Sequence, residues 1–215
     1  FVSFVVKERE VKAKHQQQLA GMRLLAYWTS TWLFDSLSYL VPAMTTLALI
    51  AAFDIDAFIK NGALSSTLWL LVLFGPAVAS FTYCVSFLFS SHSSALIWVL
   101  FLNFLTGLAL MITSFVLGLI ESTQGINFTL KYFFRLLPGF CLGDGLLQMS
   151  LCQKGQCPRL TSTGYDMRGL IDTPMSPQVT GLSITYLAIE GGGFMLLCLL
   201  LEVFTGQGRV RQAIV

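Results

Sequence analysis

The sequence predicts an all-α membrane protein, and its composition and four long apolar stretches are the evidence. Of its 215 residues, 55% are hydrophobic and only 11% are charged, whereas a soluble domain carries about 25% charged residues. A helix of about 20 apolar residues crosses a bilayer, and four stretches reach that length. They lie at residues 27–53, 64–89, 94–120 and 183–204. Strands are not expected, because the edges of an open sheet would stay unpaired in lipid.

The positions of lysine and arginine predict how the spans are oriented. Residues 7–26 carry five basic side chains and the tail 205–215 carries two, whereas the loop 54–63 holds two aspartates and one lysine. By the positive-inside rule, the first segment and the tail are cytoplasmic. Three spans within residues 27–120 and one last span agree with both assignments, because four is an even number. The segment 121–182 is therefore expected outside.

The residues before the first complete span predict a cytoplasmic helix. Residues 1–6 are apolar and follow no basic stretch, so we expect the end of a truncated span and not a signal peptide. Two acid–base pairs with i,i+4 spacing favour one continuous helix over residues 7–21. They are Glu8 with Lys12 and Glu10 with Lys14. Such a helix either solvates a loop at the membrane surface or docks on a cytoplasmic partner.

Two short apolar halves open the external segment. Residues 128–137 and 140–149 are each about ten residues long, which is too short to cross a bilayer. The dipeptide Pro138-Gly139 lies between them and predicts a turn. We therefore expect a re-entrant hairpin over residues 128–150 that enters the membrane from the outer face.

Asp35 is the acidic residue of the first span, and it shares a helical face with Trp28, Trp32 and Tyr39. A carboxylate at the centre of a span costs about 2.5–3.5 kcal/mol, so this side chain should face protein or water. Two interpretations stay open. Asp35 is either a polar contact that gates or couples the helix bundle, or one buried acid bonded to a neighbour within an interfacial aromatic belt.

Glu190 lies eight residues into the last span and is followed by three glycines. Glycines weaken a helix but permit a bend or close backbone packing. The acid is therefore either part of a substrate path or hinge, or a buried group satisfied by the adjoining hairpin. Asn103 offers a further polar side chain in the third span, and such residues are typical of helix–helix contacts.

Motifs outside the spans predict no chemistry for the fragment itself. Cys152 and Cys157 either form a local disulfide or remain free thiols. Asn127 begins a glycosylation sequon, but it lies so close to the membrane that we expect no glycan. Neither a phosphate-binding loop, nor a nucleophile motif, nor a His/Cys cluster occurs, so no catalytic, cofactor or metal site is expected. The net charge of +2 is too small to suggest a nucleic-acid partner.

Three motifs resemble the A subfamily of ABC transporters. FVVKEREVKAKHQQQLAGM at 4–22, followed by Tyr-Trp and by Trp32-x-x-Asp35, is similar to that family's turn between two spans. FRLLPGFCLGDGLLQM at 134–149 resembles its F-x-x-x-P-x-F-C-L-G-x-G-L motif, and AIEG at 188–191 resembles the acid-Gly pair of its last span. The departures are Gly139 and Asp144, where many relatives carry His and Arg.

The resemblance implies a partial ABC-2-like transmembrane domain with the type V exporter fold. Residues 7–21 would then be the coupling helix, and the tail would lead to an absent ATPase domain. Contact with that domain would involve Lys7, Glu8, Arg9, Glu10, Lys12, Lys14 and His15. The hairpin would be shaped by Arg135, Pro138, Gly139, Cys141, Gly143, Asp144 and Gly145.

The same resemblance implies a function for the parent protein. In full-length members, two nucleotide-binding domains bind and hydrolyse ATP with Mg²⁺, and two transmembrane domains move phospholipid or sterol between leaflets. The implied partners are membrane lipids, a nucleotide-binding domain and a second transmembrane domain, in the plasma membrane or an organelle membrane. The main alternative is a secondary transporter or channel subunit that works without ATP, although no inverted repeat supports it. An intramembrane enzyme is the third possibility, without a catalytic constellation behind it.

Overall fold

The computed structural model describes residues 2–153, 174–175 and 177–212, and the chain begins with two short helices that lead into a long one. They are α1 (Val2–Glu10), α2 (Ala13–Leu19) and α3 (Leu24–Ala52). The backbone turns sharply at Lys12, which has a φ of 59°, and again at Gly21, which has a φ of 92°. Glycine favours this left-handed region, whereas lysine adopts it at a cost.

The turn at Lys12 overturns the expectation of one continuous helix over residues 7–21. Neither predicted i,i+4 pair is formed, and Glu10, for example, contacts His92 instead. An exposed pair of this kind contributes only about 0.2–0.5 kcal/mol. Contacts between the charged side chains and the spans therefore decide the path of the backbone.

The second and third spans follow α3. A single turn, α4 (Asp56–Ile59), precedes α5 (Ala63–Ser86). The third span consists of α6 (His92–Phe104) and α7 (Leu110–Leu119), which are joined by a π-helical turn at Leu105–Ala109. Such turns widen the helix locally and occur often at functional sites.

Two further helices form the predicted hairpin after the third span. α8 (Gln124–Phe134) and α9 (Pro138–Gln153) are separated by the short turn 135–137. Pro138 opens α9, where its missing N–H has no helical partner to lose. The prediction of two short helices that meet at Pro138 is confirmed, although α9 is longer than the expected half.

The last helix is α10 (Leu182–Gln212), preceded by a π-helical turn at Pro177–Gly181. Four helical stretches are long and apolar enough to cross a membrane, and no strand occurs in the described ranges. They are Leu24–Ala52, Ala63–Ser86, His92–Leu119 and Val179–Thr205. The prediction of an all-helical membrane protein is confirmed, and the protein is an integral membrane protein.

α5 lies at the centre of the bundle and contacts α3, α9 and α10. Towards one end, Leu70 packs with Cys141 of α9 and Leu187 of α10. Towards the other end, Tyr83 packs with Trp28 of α3, and their ring centroids are 5.2 Å apart. By contrast, large apolar side chains of α3 and of the third span are exposed, as expected for surfaces that face lipid.

Candidate functional site

Four charged side chains near the N-terminus each contact a different span. Glu8 and Arg9 reach the first and second spans, and Glu10 and Lys14 reach the third and the last. We call this group the four-span cluster. It consists of Glu8 with Tyr27, Arg9 with Ser86, Glu10 with His92, and Lys14 with Glu202.

Lys14 occupies the most enclosed position in the four-span cluster. Its Nζ lies 2.8 Å from Oε2 of Glu202 and 4.5 and 4.3 Å from the ring centroids of Tyr27 and Trp28. Burial lowers the pKa of this amine, while the ion pair with Glu202 opposes the shift. The phenol of Tyr27 in turn donates to Oε2 of Glu8 over 2.6 Å. Through these contacts, the start of α2 binds both the first and the last span.

Arg9 binds the end of the second span. Its guanidinium donates to the backbone oxygen and to the hydroxyl of Ser86, both over 3.1 Å, and it lies over the ring of Phe87. The last carbonyls of a helix have no intrahelical donor. A fixed cation therefore suits this position both as a hydrogen-bond donor and as a countercharge to the helix dipole.

Glu10 binds the start of the third span. Its carboxylate accepts from the backbone N–H of His92 over 3.2 Å and lies 2.8 Å from the ring Nδ1 of the same residue. These hydrogen bonds lower the pKa of Glu10. A carboxylate at a helix N-terminus also interacts favourably with the dipole. Both residues are exposed, so this is the cluster's contact with solvent.

The other predicted coupling residues lie outside this set of contacts. Lys7 and Lys12 are exposed, and the side chain of His15 lies outside the described part. Sequence reasoning missed the partners Tyr27, Ser86, His92 and Glu202. The position of His92 directly after a Ser-rich turn is the one signal that could have identified it as a helix start.

Asp35 joins the first span to the second. Its carboxylate accepts from the hydroxyl of Tyr83 over 2.5 Å, in buried surroundings. Trp32 on the same face donates to the backbone oxygen of Pro76 over 3.2 Å, and Trp28 is fully buried. The expectation of a buried acid bonded to a neighbour is therefore right. The interfacial aromatic belt is wrong, because this face packs against α5 and not against lipid.

Glu190 is buried in the last span, and neither of its carboxylate oxygens has a hydrogen-bond partner among the described residues. The interpretation that the hairpin satisfies this acid is therefore wrong within the described part. The following Gly191 packs closely on α5, and its backbone oxygen accepts from the hydroxyl of Ser80 over 2.9 Å. The role of Glu190 in a substrate path or hinge stays a prediction. α10 runs through this position without a break.

The hairpin residues that the motif identified lie together against the spans. Gly139 approaches the π-helical turn so closely that a Cβ atom there would lie 3.1 Å from the backbone nitrogen of Gly107. Cys141 donates its thiol hydrogen to the backbone oxygen of Arg135 over 3.1 Å. Pro138, Gly143 and Gly145 share the same helix α9, with Asp144 between the two glycines.

Asp144 is the centre of the hairpin's polar contacts. Its carboxylate accepts from Nζ of Lys131 over 3.1 Å, from Nη2 of Arg135 over 3.0 Å and from Nε2 of Gln148 over 3.2 Å. Arg135 and Asp144 are among the hairpin residues that the motif identified, whereas Lys131 and Gln148 were not singled out from the sequence. The i,i+4 spacing of Asp144 and Gln148 on α9 was the available signal.

Three remaining predictions concern single residues. Asn103 donates within its own helix, to the backbone oxygen of Val99 over 2.9 Å, and makes no side-chain hydrogen bond to another helix among the described residues. Asn127 is buried and exchanges two hydrogen bonds of 2.9 Å with Ser114, which supports the expectation that it carries no glycan. Cys157 and the side chain of Cys152 lie outside the described residues. The described residues hold no His/Cys/Asp/Glu group suited to a metal.

Comparison with known proteins extends the resemblance to most of the chain. The family model described as "ABC-2 family transporter protein" matches residues 1–200. The human phospholipid-transporting ATPase ABCA7 is 31% identical over 206 residues, which cover 94% of this chain and 9% of that protein. The human ATP-binding cassette sub-family A member 13 is 34% identical over 211 residues, which cover 93% of this chain and 4% of that protein.

A third relative agrees with these two. The human ATP-binding cassette sub-family A member 2 is 30% identical over 203 residues, which cover 91% of this chain and 8% of that protein. The chain thus spans less than a tenth of the length of these relatives. The family model covers the first three spans, the hairpin and most of the last span, and the protein belongs to the ABC-2 transporter family, as a membrane domain related to the A subfamily.

Proposed function

We propose that this membrane domain couples ATP hydrolysis in a separate nucleotide-binding domain to the movement of phospholipid or sterol across the membrane. Relatives that the chain resembles are named phospholipid-transporting ATPases. ATP and Mg²⁺ would be bound by the nucleotide-binding domain, while the spans form the path for lipid together with a second membrane domain. The four-span cluster is the observation that supports this proposal best.

The four-span cluster gives one short segment a direct contact with every span. α1 and α2 lie on the side that the basic residues mark as cytoplasmic, where a nucleotide-binding domain would dock. A displacement of this segment reaches each span through one ion pair or hydrogen bond, without intermediate residues. A partly buried ion pair resists such a displacement more strongly than an exposed one, because water screens it less. Lys14 with Glu202 is therefore the contact expected to transmit most force.

The test is a substitution in the full-length transporter, reconstituted in liposomes. Lys14→Met removes the charge and keeps the length of the side chain, whereas Lys12→Met changes an exposed lysine two residues away and is the matched control. We expect Lys14→Met to lower the number of lipids moved per ATP hydrolysed by about fivefold or more, the lower end of common coupling energies. Nucleotide binding should be unchanged, because the charge lies in the membrane domain.

The result of this test also separates the alternatives. An unchanged lipid-to-ATP ratio in Lys14→Met would show that the four-span cluster is only structural. Lipid movement that persists after the ATPase site is inactivated would favour the secondary transporter or channel. In that case the protein would have the fold of an ABC transporter, but its lipid movement would not be coupled to ATP hydrolysis.

A further inference from the structure

Two cations share one carboxylate in the hairpin. Lys131 of α8 and Arg135, the first residue after α8, form ion pairs of 3.1 and 3.0 Å with Asp144. Within these two ion pairs, two positive charges face one negative charge. Glu190, the buried acid of the last span, has no hydrogen bond or ion pair with either cation among the described residues.

The polar capacity of this group is also incompletely used. The Nε of Arg135 and the Oε1 of Gln148 are buried and have no hydrogen-bond partner in the described part of the chain. A buried guanidinium normally has its donors satisfied, since an unsatisfied donor is costly. Lys131 is the member that an incoming group can reach, because 18% of its side chain is accessible.

The depth of the group decides which anions can reach it. Gly143, next to Asp144, packs against Gly107 and Met111 of the third span. The third span ends at Leu119, eight residues after Met111. Asp144 therefore lies level with a point about 12 Å along the third span from the outer end of that span. An excess positive charge at such a depth is unfavourable and attracts a countercharge.

The neighbouring surface of α8 carries exposed apolar side chains. Three of these residues, Phe128, Tyr132 and Phe133, belong to α8, and Leu136 belongs to the turn that follows it; they are 39% to 64% exposed. The rings of Phe128 and Tyr132 pack edge to face, with centroids 5.3 Å apart. An exposed apolar patch of this kind suits contact with acyl chains. Lys131 lies between Phe128 and Tyr132 in the sequence of α8, beside this aromatic face.

We infer that Lys131 and Arg135 form a binding site for the phosphate group of a phospholipid whose acyl chains lie against the aromatic face of α8. The site takes a phosphate because a phosphate oxygen accepts hydrogen bonds from both an ammonium and a guanidinium. It takes the phosphate from lipid because a free anion does not enter the membrane to this depth, whereas a lipid brings its own acyl chains. The inference rests on the proposed function only in placing the hairpin at the outer leaflet.

The test measures lipid binding by the full-length transporter in a neutral glycoside detergent, without nucleotide. The temperature of unfolding is followed while dioleoyl phosphatidylglycerol is added, and separately with dioleoylglycerol, which has the same chains and no phosphate. Inorganic phosphate alone is the third probe. We expect the phospholipid to raise the unfolding temperature, and the other two probes to leave it unchanged.

Substitutions then assign the effect to the hairpin. Lys131→Gln should need about tenfold more phospholipid for the same stabilisation, the usual effect of losing one hydrogen bond between charged groups. Asp144→Asn should need less, because the competing carboxylate is gone. Lys60→Gln is the matched control, since Lys60 is an exposed lysine paired with Asp56 in a different loop.

Each contrary result overturns the inference. Equal stabilisation by dioleoylglycerol would show that the phosphate is not recognised, and this comparison needs only the wild-type protein. Stabilisation by inorganic phosphate alone would show that the source is a free ion. A Lys131→Gln variant with wild-type lipid dependence would show that the ion pairs only hold α8 against α9. Because no nucleotide is present, a failure of ATP coupling leaves all these outcomes unaffected.

Discussion

Asp35 and Tyr83 show how single polar residues hold the spans together. Their hydrogen bond of 2.5 Å joins the first span to the second in buried surroundings. A buried acceptor that loses its donor is left without water to replace it. Removal of the donor should therefore lower the stability of the protein, although the pair is not part of the four-span cluster.

Removal of the Tyr83 hydroxyl is the sharpest test of this contact. Tyr83→Phe should lower the free energy of unfolding by about 1–3 kcal/mol, because the Asp35 carboxylate stays buried without its donor. Asp35→Asn should cost less, since its amide oxygen still accepts from the phenol. Unfolding of the purified domain or transporter in mixed micelles, titrated with a denaturing detergent, measures both.

Tyr39→Phe is the matched control for this prediction. Tyr39 lies on the same face of α3, and its ring packs on Phe74, but no hydrogen bond of its hydroxyl is found in the described residues. Its substitution should therefore be nearly neutral. Equal losses for Tyr39→Phe and Tyr83→Phe would contradict a specific role for the hydrogen bond.

At the scale of residues, sequence periodicity predicts which side chains share a helical face, but not which side chains they bind. The spacing of Trp28, Trp32, Asp35 and Tyr39 placed them on one side of α3, and the structure agrees. The donor for Asp35 could not be predicted, because it depends on how α3 and α5 are rotated against each other. Glu190 illustrates the same limit, since α10 packs against α5 and α9, which are distant from it in the sequence.

Close approaches of small residues set the geometry of the helices at the scale of elements. α9 contacts the π-helical turn between α6 and α7, and glycines lie on both sides of this contact. The two short helices of the hairpin follow from the position of Pro138 and could be predicted. The break between α1 and α2 could not, because the local i,i+4 pairs are weaker than the contacts each side chain makes with a distant span.

Gly139 provides a test of the contact between the hairpin and the third span. A Cβ atom at Gly139 would lie 3.1 Å from both the backbone nitrogen of Gly107 and the hydroxyl oxygen of Thr106. Gly139→Ala should therefore destabilise the protein by about 1–3 kcal/mol, as overpacking usually does. The same unfolding titration measures the loss.

Gly107→Ala is the matched control on the opposite side of the contact. A Cβ atom there would meet its nearest neighbour at 3.6 Å, which is ordinary van der Waals contact. Both positions are helical, so their intrinsic preference for alanine is similar and favourable. If Gly107→Ala costs as much as Gly139→Ala, the hairpin does not pack on the turn in the way described.

At the scale of the whole molecule, polar contacts gather at two places, the hairpin and the four-span cluster. The sequence predicts the hairpin but not the four-span cluster. The number of spans and the hairpin follow from hydropathy and from Pro138, because each depends on local composition. The four-span cluster depends on side chains separated by up to 188 positions, as in Lys14 with Glu202. Local composition does not show such pairings, so the cluster emerges only from the packed bundle.

The orientation of the molecule is the last prediction, and both proposals depend on it. The basic residues of 7–26 predict that α2 is cytoplasmic and that the loop holding α4 is external. A single cysteine is introduced either at Gln16 or at Asp56, both of which are exposed. Treatment of intact cells with a membrane-impermeant maleimide should label the Asp56→Cys variant and spare the Gln16→Cys variant.

The described native cysteines Cys84, Cys141 and Cys198 are buried or half-buried. A variant without any of the five cysteines of the chain measures the background labelling. Permeabilised cells are the second control, because Gln16→Cys should then be labelled as well. Labelling of Gln16→Cys in intact cells would reverse the orientation. The four-span cluster would then face away from any cytoplasmic ATPase domain, and the phosphate site in the hairpin would belong to the inner leaflet.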